Sequence, residues 1–210
     1  MLFEDRQEAG EKLAAPLKEY AGRDVLVLAV PRGGVVVARP IAAALGAELD
    51  VIIPRKVGAP GNPELAVAAV APDGTVIYNE GLMRALGLKR QELKEAVAGE
   101  LREIRRRTRV YRGEKAPPRI KGRTVVVVDD GLATGLTMEA ALASLKEDEP
   151  RELVLAVPVA PPDTVARLKP LVARAVCLAT PEPFYAVGQF YRRFPQVDDE
   201  EVLAILAVPY

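Results

Sequence analysis

VVVVDDGLATGLTMEA, Val125 to Ala140, carries the pattern on which the fold turns. An uninterrupted β-branched run describes a strand buried on both faces, as in a parallel sheet. It ends on Asp129 and Asp130, crosses a short loop of small residues, and enters a helical pattern from Leu136 to Leu145. In open α/β sheets ligands settle at the carboxyl ends of strands, where this loop falls. Successive backbone amides at a helix start form a positive nest that suits a phosphate. Gly131 and Gly135 permit close approach, and Thr134 and Thr137 add hydroxyl donors. Adjacent carboxylates suit sugar hydroxyls, as acceptors, or a hydrated magnesium ion. A plain strand-to-helix turn accounts for an N-cap Asp130 and bending glycines. It does not call for two acids, two glycines and two threonines within nine residues. The Lys of a Walker A loop and the G-x-G-x-x-G of a dinucleotide fold are both missing.

The same grammar recurs upstream. The apolar run Val25 to Val30 leads into Pro31-Arg32-Gly33-Gly34 and then a helical pattern, Val35 to Leu45. Backbone amides and the Arg32 guanidinium there can hold a diphosphate, although Arg-Gly-Gly in isolation also fits a tight turn. A third apolar run, Leu153 to Val157, and two weaker ones, Leu49 to Ile53 and Ala173 to Leu178, complete a set of strands. With a helix at Asp163 to Leu168, strand and helix alternate. The expected fold class is therefore α/β, a doubly wound, mainly parallel sheet with right-handed crossovers.

Two segments depart from the alternation. Arg55 to Lys121 opens on the Gly-Pro-rich RKVGAPGNPE and continues through a Val-Ala-rich run to the turn signal Pro72-Asp73-Gly74. A β-hairpin ending near Tyr78 is expected, then a helix from about Lys89 to Tyr111 with Leu93, Val97, Leu101 and Ile104 on one face. The other face is arginine-rich. From Arg102 to Arg123 the bases far outnumber the acids, which reads as a solvated helix face or a surface for phosphorylated ligands or nucleic acid. The second departure is the tail after Thr180, where Phe184, Tyr185, Phe190, Tyr191 and Phe194 crowd a Pro-containing stretch before a short helix from about Asp198. Such aromatics anchor a loop or build a stacking platform.

Composition removes several mechanisms. With 210 residues, no histidine and one cysteine, the chain cannot assemble a Ser-His-Asp or Cys-His centre, or a zinc site of soft ligands. Any metal must be a hard ion held by oxygen. No apolar stretch approaches the roughly 20 residues that span a bilayer, and Met1 to Lys12 lack a signal-peptide pattern. A cytoplasmic location is the expectation, in keeping with the lone Cys177, and the Glu-, Arg- and Pro-rich composition suits a thermophile or equally GC-rich coding.

The segment around Asp129 resembles the signature of the type I phosphoribosyltransferases: four apolar residues, two acids, a loop ending Thr-Gly-x-Thr, then a helix. Gly131 departs from it where many members have an apolar residue, and Leu136 where glycine is common. The resemblance implies that Asp129 and Asp130 contact the ribose hydroxyls of phosphoribosyl diphosphate, directly or around Mg2+. It implies that Gly131, Ala133, Thr134, Gly135 and Thr137 cradle its 5-phosphate. Arg32, Gly33 and Gly34 would form the diphosphate loop, where members often carry a non-proline cis peptide. Arg32, Asp129 and Asp130 would then be the catalytic set. Arg55 and Lys56, at the end of the second strand, would reach the diphosphate beside a flexible flap, with Glu64 a weaker candidate for metal or acceptor. Phe184, Tyr185 and Phe190 would belong to a hood over an acceptor, a nucleobase or related heterocycle. The chain would be one domain over 1–210, with the flap insertion at about 56–121 and the hood at about 180–210. A homodimer is implied as well, with no membrane partner and no nucleic acid. The rival functions are a non-catalytic regulator that senses the same ligand or a nucleotide, and a nucleic-acid-binding protein using the basic helix.

Overall fold

The structure, a computed structural model, describes residues 2–208. Residues 209 and 210, at the end of the expected hood, lie outside the described residues, as does Met1. The main sheet consists of β1 (Val25–Ala29), β2 (Glu48–Val51), β6 (Thr124–Val128), β7 (Glu152–Val159) and β8 (Arg174–Ala179). It is parallel throughout and ordered β2-β1-β6-β7-β8. Strand order reverses between β1 and β6, so the crevice at their carboxyl ends is the topological switch point.

Side chains alternate across this sheet as strand geometry requires. Val25, Val27 and Ala29 of β1 and Val126 and Val128 of β6 face α1 (Arg6–Leu17) and α2 (Gly33–Leu45). Leu26, Leu28, Val125 and Val127 face α5 (Leu136–Glu147) and α6 (Pro162–Leu168). Both layers are buried, which is why these strands read as continuous apolar runs.

Helix α1 is not foreseen from the sequence. Its buried face is Arg6, Ala9, Gly10, Leu13, Ala14 and Leu17, half of them small, and the helix shows little hydrophobic contrast. Packing explains the choice: a Cβ on Gly10 would sit 2.3 Å from the Val37 carbonyl oxygen of α2.

The expected hairpin is instead a three-stranded antiparallel sheet, β3 (Arg55–Ala59), β4 (Asn62–Val70) and β5 (Val76–Tyr78). The turn at Pro72-Asp73-Gly74 joins β4 to β5 as read. The missed strand is β3, since Gly58, Pro60 and Gly61 suggested loop; they form an irregular ladder and its turn. Helix α3 (Glu80–Ala85) follows, then α4 (Lys94–Arg112), which buries Ile104 and Tyr111. The small sheet is docked: Val57, Ala68 and Val70 join the core containing Leu93 and Ile104, while Ala69 and Ala71 pack on Leu136 and Ala140 of α5. The segment expected as a flap, about 56–121, is thus packed on two sides in this structure. The chain ends in α7 (Asp199–Leu206), capped by the Asp198 carboxylate.

Candidate functional site

Gly33 and Gly34 lie against the end of β6. A Cβ on Gly34 would come within 2.9 Å of the Val128 carbonyl oxygen and 3.0 Å of Asp129 Cα. One on Gly33 would lie 1.9 Å from Asp130 Oδ2. The two loops read separately in the sequence therefore form one site, and glycine is what allows them to touch. The Pro31–Arg32 peptide is cis. No side chain caps the start of α2, which begins beside Asp129 and Asp130 at the crevice.

The carboxylates occupy different surroundings. Asp129 Oδ1 accepts the Asp130 amide at 2.8 Å. Burial, and then the adjacent Asp130 carboxylate, push the Asp129 carboxyl well above the usual range. Asp130 Oδ2 receives Arg6 Nε at 2.8 Å, and the Tyr191 hydroxyl donates to the Asp130 carbonyl at 2.6 Å. Burial raises that Tyr191 hydroxyl, which remains a proton donor. Tyr191 thus anchors the tail to the site.

The loop from Gly131 to Thr137 is shaped by its neighbours. Gly135 has a left-handed φ of 69° at the N-cap of α5, and a Cβ there would lie 2.7 Å from Thr164 Cγ2. Gly131 leaves no room either, with Val187 Cγ1 2.5 Å from a built Cβ. Thr164 Oγ1 donates to the Ala133 carbonyl at 2.8 Å, while Arg167 donates to the Thr134 carbonyl and pairs with Glu139. A trans peptide points its N–H opposite its C=O. Carbonyls drawn toward α6 thus leave the amides of Thr134 and Gly135 turned away from that helix. Thr164 and Arg167 were not legible as site residues, because nothing in PPDTVARL marks a side chain that orients another loop.

Phe184 and Tyr185 line a cavity of about 580 Å³ with Ala133, Thr134, Thr164 and Arg167. Tyr185 is 83% exposed. Phe190, expected as an acceptor-stacking residue, is buried among Phe3, Ala9, Val159 and Tyr191, with the Phe184 ring 4.8 Å away. Its ring is spent on anchoring the tail.

Arg32 lies with Nη1 3.7 Å from Asp199 Oδ1, and Asp199 accepts the Tyr111 hydroxyl at 2.5 Å. Burial and then Asp199 push the Tyr111 hydroxyl up to about 12. Arg55 is not brought to the loops. It pairs with Glu100 of α4 at 2.7 Å, and Lys56 and Glu64 are exposed. No hydrogen bond or ion pair joins Arg55 or Lys56 to either loop among the described residues. Much of the arginine-rich segment is likewise engaged internally: Arg106 and Arg107 grip Glu103, Arg112 reaches Asp50, and Arg123 bridges Asp24 and Glu48. Among the described residues, no group of three or more carboxylate or thiol ligands could enclose a metal. No helix among them is long and apolar enough to cross a membrane.

Sheet order, acid pair and paired loops define a phosphoribosyltransferase-type architecture. Residues 4–180 match the family model described as the phosphoribosyl transferase domain, and the chain belongs to that family. It is 43% identical over 205 residues to two curated Mycobacterium tuberculosis proteins provisionally named phosphoribosyl transferases. The alignment covers 98% of this chain but 46% of theirs, so the chain spans about half the length of those relatives. A crystal structure of a Thermus thermophilus protein is 46% identical, covers 98% of both chains and superposes with a TM-score of 0.79. The purine phosphoribosyltransferase of Pyrococcus horikoshii, at 20% identity and 92% coverage of both chains, shares the fold with a TM-score of 0.51.

Proposed function

We propose that the chain binds phosphoribosyl diphosphate and transfers its 5-phosphoribosyl group to a nitrogenous acceptor, a nucleobase or similar heterocycle. The observation that carries this reading is the contact of Gly33 with Asp130. It sets the acid pair between an amide nest on one side and Arg32 with the start of α2 on the other. A sugar carrying a phosphate at one end and a diphosphate at the other matches that order of charges.

In the reaction the anomeric C–O bond to diphosphate breaks, and its electron pair leaves with the diphosphate. A C–N bond forms from the acceptor lone pair, and the acceptor proton passes to solvent. Asp129 and Asp130 hold the ribose and favour the positive charge that builds at the anomeric carbon. Arg32 and the α2 amides receive the growing negative charge of the leaving group. The amides of Thr134 and Gly135, with the Thr134 and Thr137 hydroxyls, bind the 5-phosphate. Phe184 and Tyr185 border the cavity beside that loop and are proposed to flank the acceptor.

Magnesium fits this donor set. Mg2+ is commonly held by one or two carboxylates plus substrate phosphates and water, and does not need an all-protein cage. Asp129 and Asp130 would supply the carboxylates, and the ion would neutralise charge on the diphosphate.

Calorimetric titration with phosphoribosyl diphosphate, with and without magnesium, tests the reading. Binding that requires magnesium and collapses in the Asp129→Asn, Asp130→Asn double variant is the expected result. A folded wild-type protein that takes up no ligand would rule it out.

A further inference from the structure

We infer that Arg6 is a positioning residue of this site: by holding one oxygen of Asp130, it aims the other at the ribose hydroxyls of a bound sugar phosphate. The inference rests on the binding reading above and adds to the site a residue from outside its two loops. Arg6 Nε meets Asp130 Oδ2 at 2.8 Å, with only 9% and 16% of the two side chains exposed, so solvent screens the pair little. Asp130 Oδ1 has no hydrogen-bond partner among the described residues. It is the atom left to accept from a ligand.

Arg6 is itself held on several sides. Its guanidinium lies 3.7 Å from the centre of the Phe194 ring, and Nη1 donates to the Pro195 carbonyl at 2.7 Å. On the loop side, a Cβ on Gly33 would come within 2.8 Å of Nε. A flat group that stacks on a ring while donating in two directions is a guanidinium; an ammonium cannot do both. Helix stability does not explain the residue. Arg6 is the first residue of α1, where the helix dipole disfavours a cation, and it points inward. Its role follows from Asp130. Two adjacent carboxylates in an enclosed site repel each other, and a fixed cation behind one of them sets its orientation before the sugar arrives.

The arrangement also gives both ends of the chain a part in the site. Arg6 comes from the first helix, and Phe194 and Pro195 come from the tail. Together with Arg32 and Gly33 they border a cavity of about 340 Å³.

Ribose 5-phosphate and inorganic diphosphate separate this role from a general structural one, because only the first carries ribose hydroxyls. Titrations with each, in the presence of magnesium, would compare wild type with Arg6→Gln and Phe194→Leu, with thermal midpoints recorded alongside. In Arg6→Gln, ribose 5-phosphate affinity is expected to fall about tenfold while diphosphate affinity stays within about twofold, the scale of one lost oriented contact. Phe194→Leu leaves the charge but removes the ring, and should show the same selective loss to a smaller degree. If Arg6→Gln does not fold, Phe194→Leu carries the comparison. An equal loss for both ligands, or no change in either, overturns the inference. A gain in ribose 5-phosphate affinity would do so too, since it would make Arg6 a latch that blocks Asp130. A wild type that binds neither ligand removes the site itself, whereas a binding wild type with unaffected variants removes only the role of Arg6.

Discussion

Between Gly33 and Asp130 there is no space for one more carbon, and the consequences of filling it are specific. Gly33→Ala would set a methyl 1.9 Å from Asp130 Oδ2 and 2.8 Å from Arg6 Nε, breaking the ion pair or displacing the loop. Ligand affinity should fall by at least about tenfold, as when an oriented charged contact is lost, and calorimetry would read it. Asp129 offers the opposite trade. Its carboxyl is raised by burial and by Asp130, so ionising it costs the folded state stability. For an acid whose folded value is raised, that cost is absent below the unfolded value of 3.8, grows as pH rises from there toward the folded one, and levels off above it. Asp129→Asn, which keeps the acceptor for the Asp130 amide, should raise the thermal midpoint at neutral pH and lose the advantage in acid. Binding should disappear at every pH. Thermal melts across pH 3 to 8, beside titrations, separate the two effects. The placements of Asp129, Asp130, Gly33 and Thr134 at one crevice were legible because acids, glycines and threonines gather at the ends of two buried strands. Those of Thr164, Arg167 and Arg6 were not, because each acts by orienting a residue distant in sequence.

At the scale of elements, α4 shows why a run of like charge need not be a binding surface. Arg106 and Arg107 hydrogen-bond Glu103 and hold its carboxyl down at about 2. A depressed acid contributes stability that is present above its unfolded value of 4.5 and lost as pH falls through the folded one. Glu103→Gln should therefore lower the thermal midpoint at neutral pH but match the wild type near pH 2. The effect should be small, about 0.5 kcal/mol, since the pair faces solvent. The start of α5 is more sensitive. Gly135→Ala would impose a left-handed φ of 69° on a side chain and drive it into Thr164. A cost of about 1–3 kcal/mol is expected, measurable by denaturant unfolding. Periodicity found α4 because its apolar and polar faces contrast, and α5 was found as the apolar helical stretch that follows the strand and loop at Asp129. It could not find α1, half of whose inward face is glycine and alanine, nor β3, whose Gly58 and flanking Pro54 and Pro60 imitate a loop.

Over the whole molecule, the two ends of the chain are bound to each other. The amides of Leu2 and Phe3 both donate to the Phe190 carbonyl, and those of Arg192 and Arg193 return to the carbonyls of Phe3 and Glu4. Phe3 and Tyr191 stack at 5.4 Å, and Phe3 is 5% exposed. Phe3→Ala should cost about 3–5 kcal/mol, with the Asp130 contacts loosening in the same transition. Chemical unfolding followed by tyrosine fluorescence, alongside ligand titration, would show whether stability and binding fall together. The sequence alone determined the doubly wound class, the strand core and both loops, since buried strands and glycine turns are local and write themselves as uninterrupted patterns. The tertiary structure alone decided which residues stand behind those loops. Arg6, Tyr191 and Asp199 reach the site from the two ends of the chain, and contacts between residues so far apart in sequence, 61 positions for Tyr191 and 124 for Arg6, leave no local signal. The docking of the small sheet was decided there too, since it depends on two helices offering apolar surface on opposite sides.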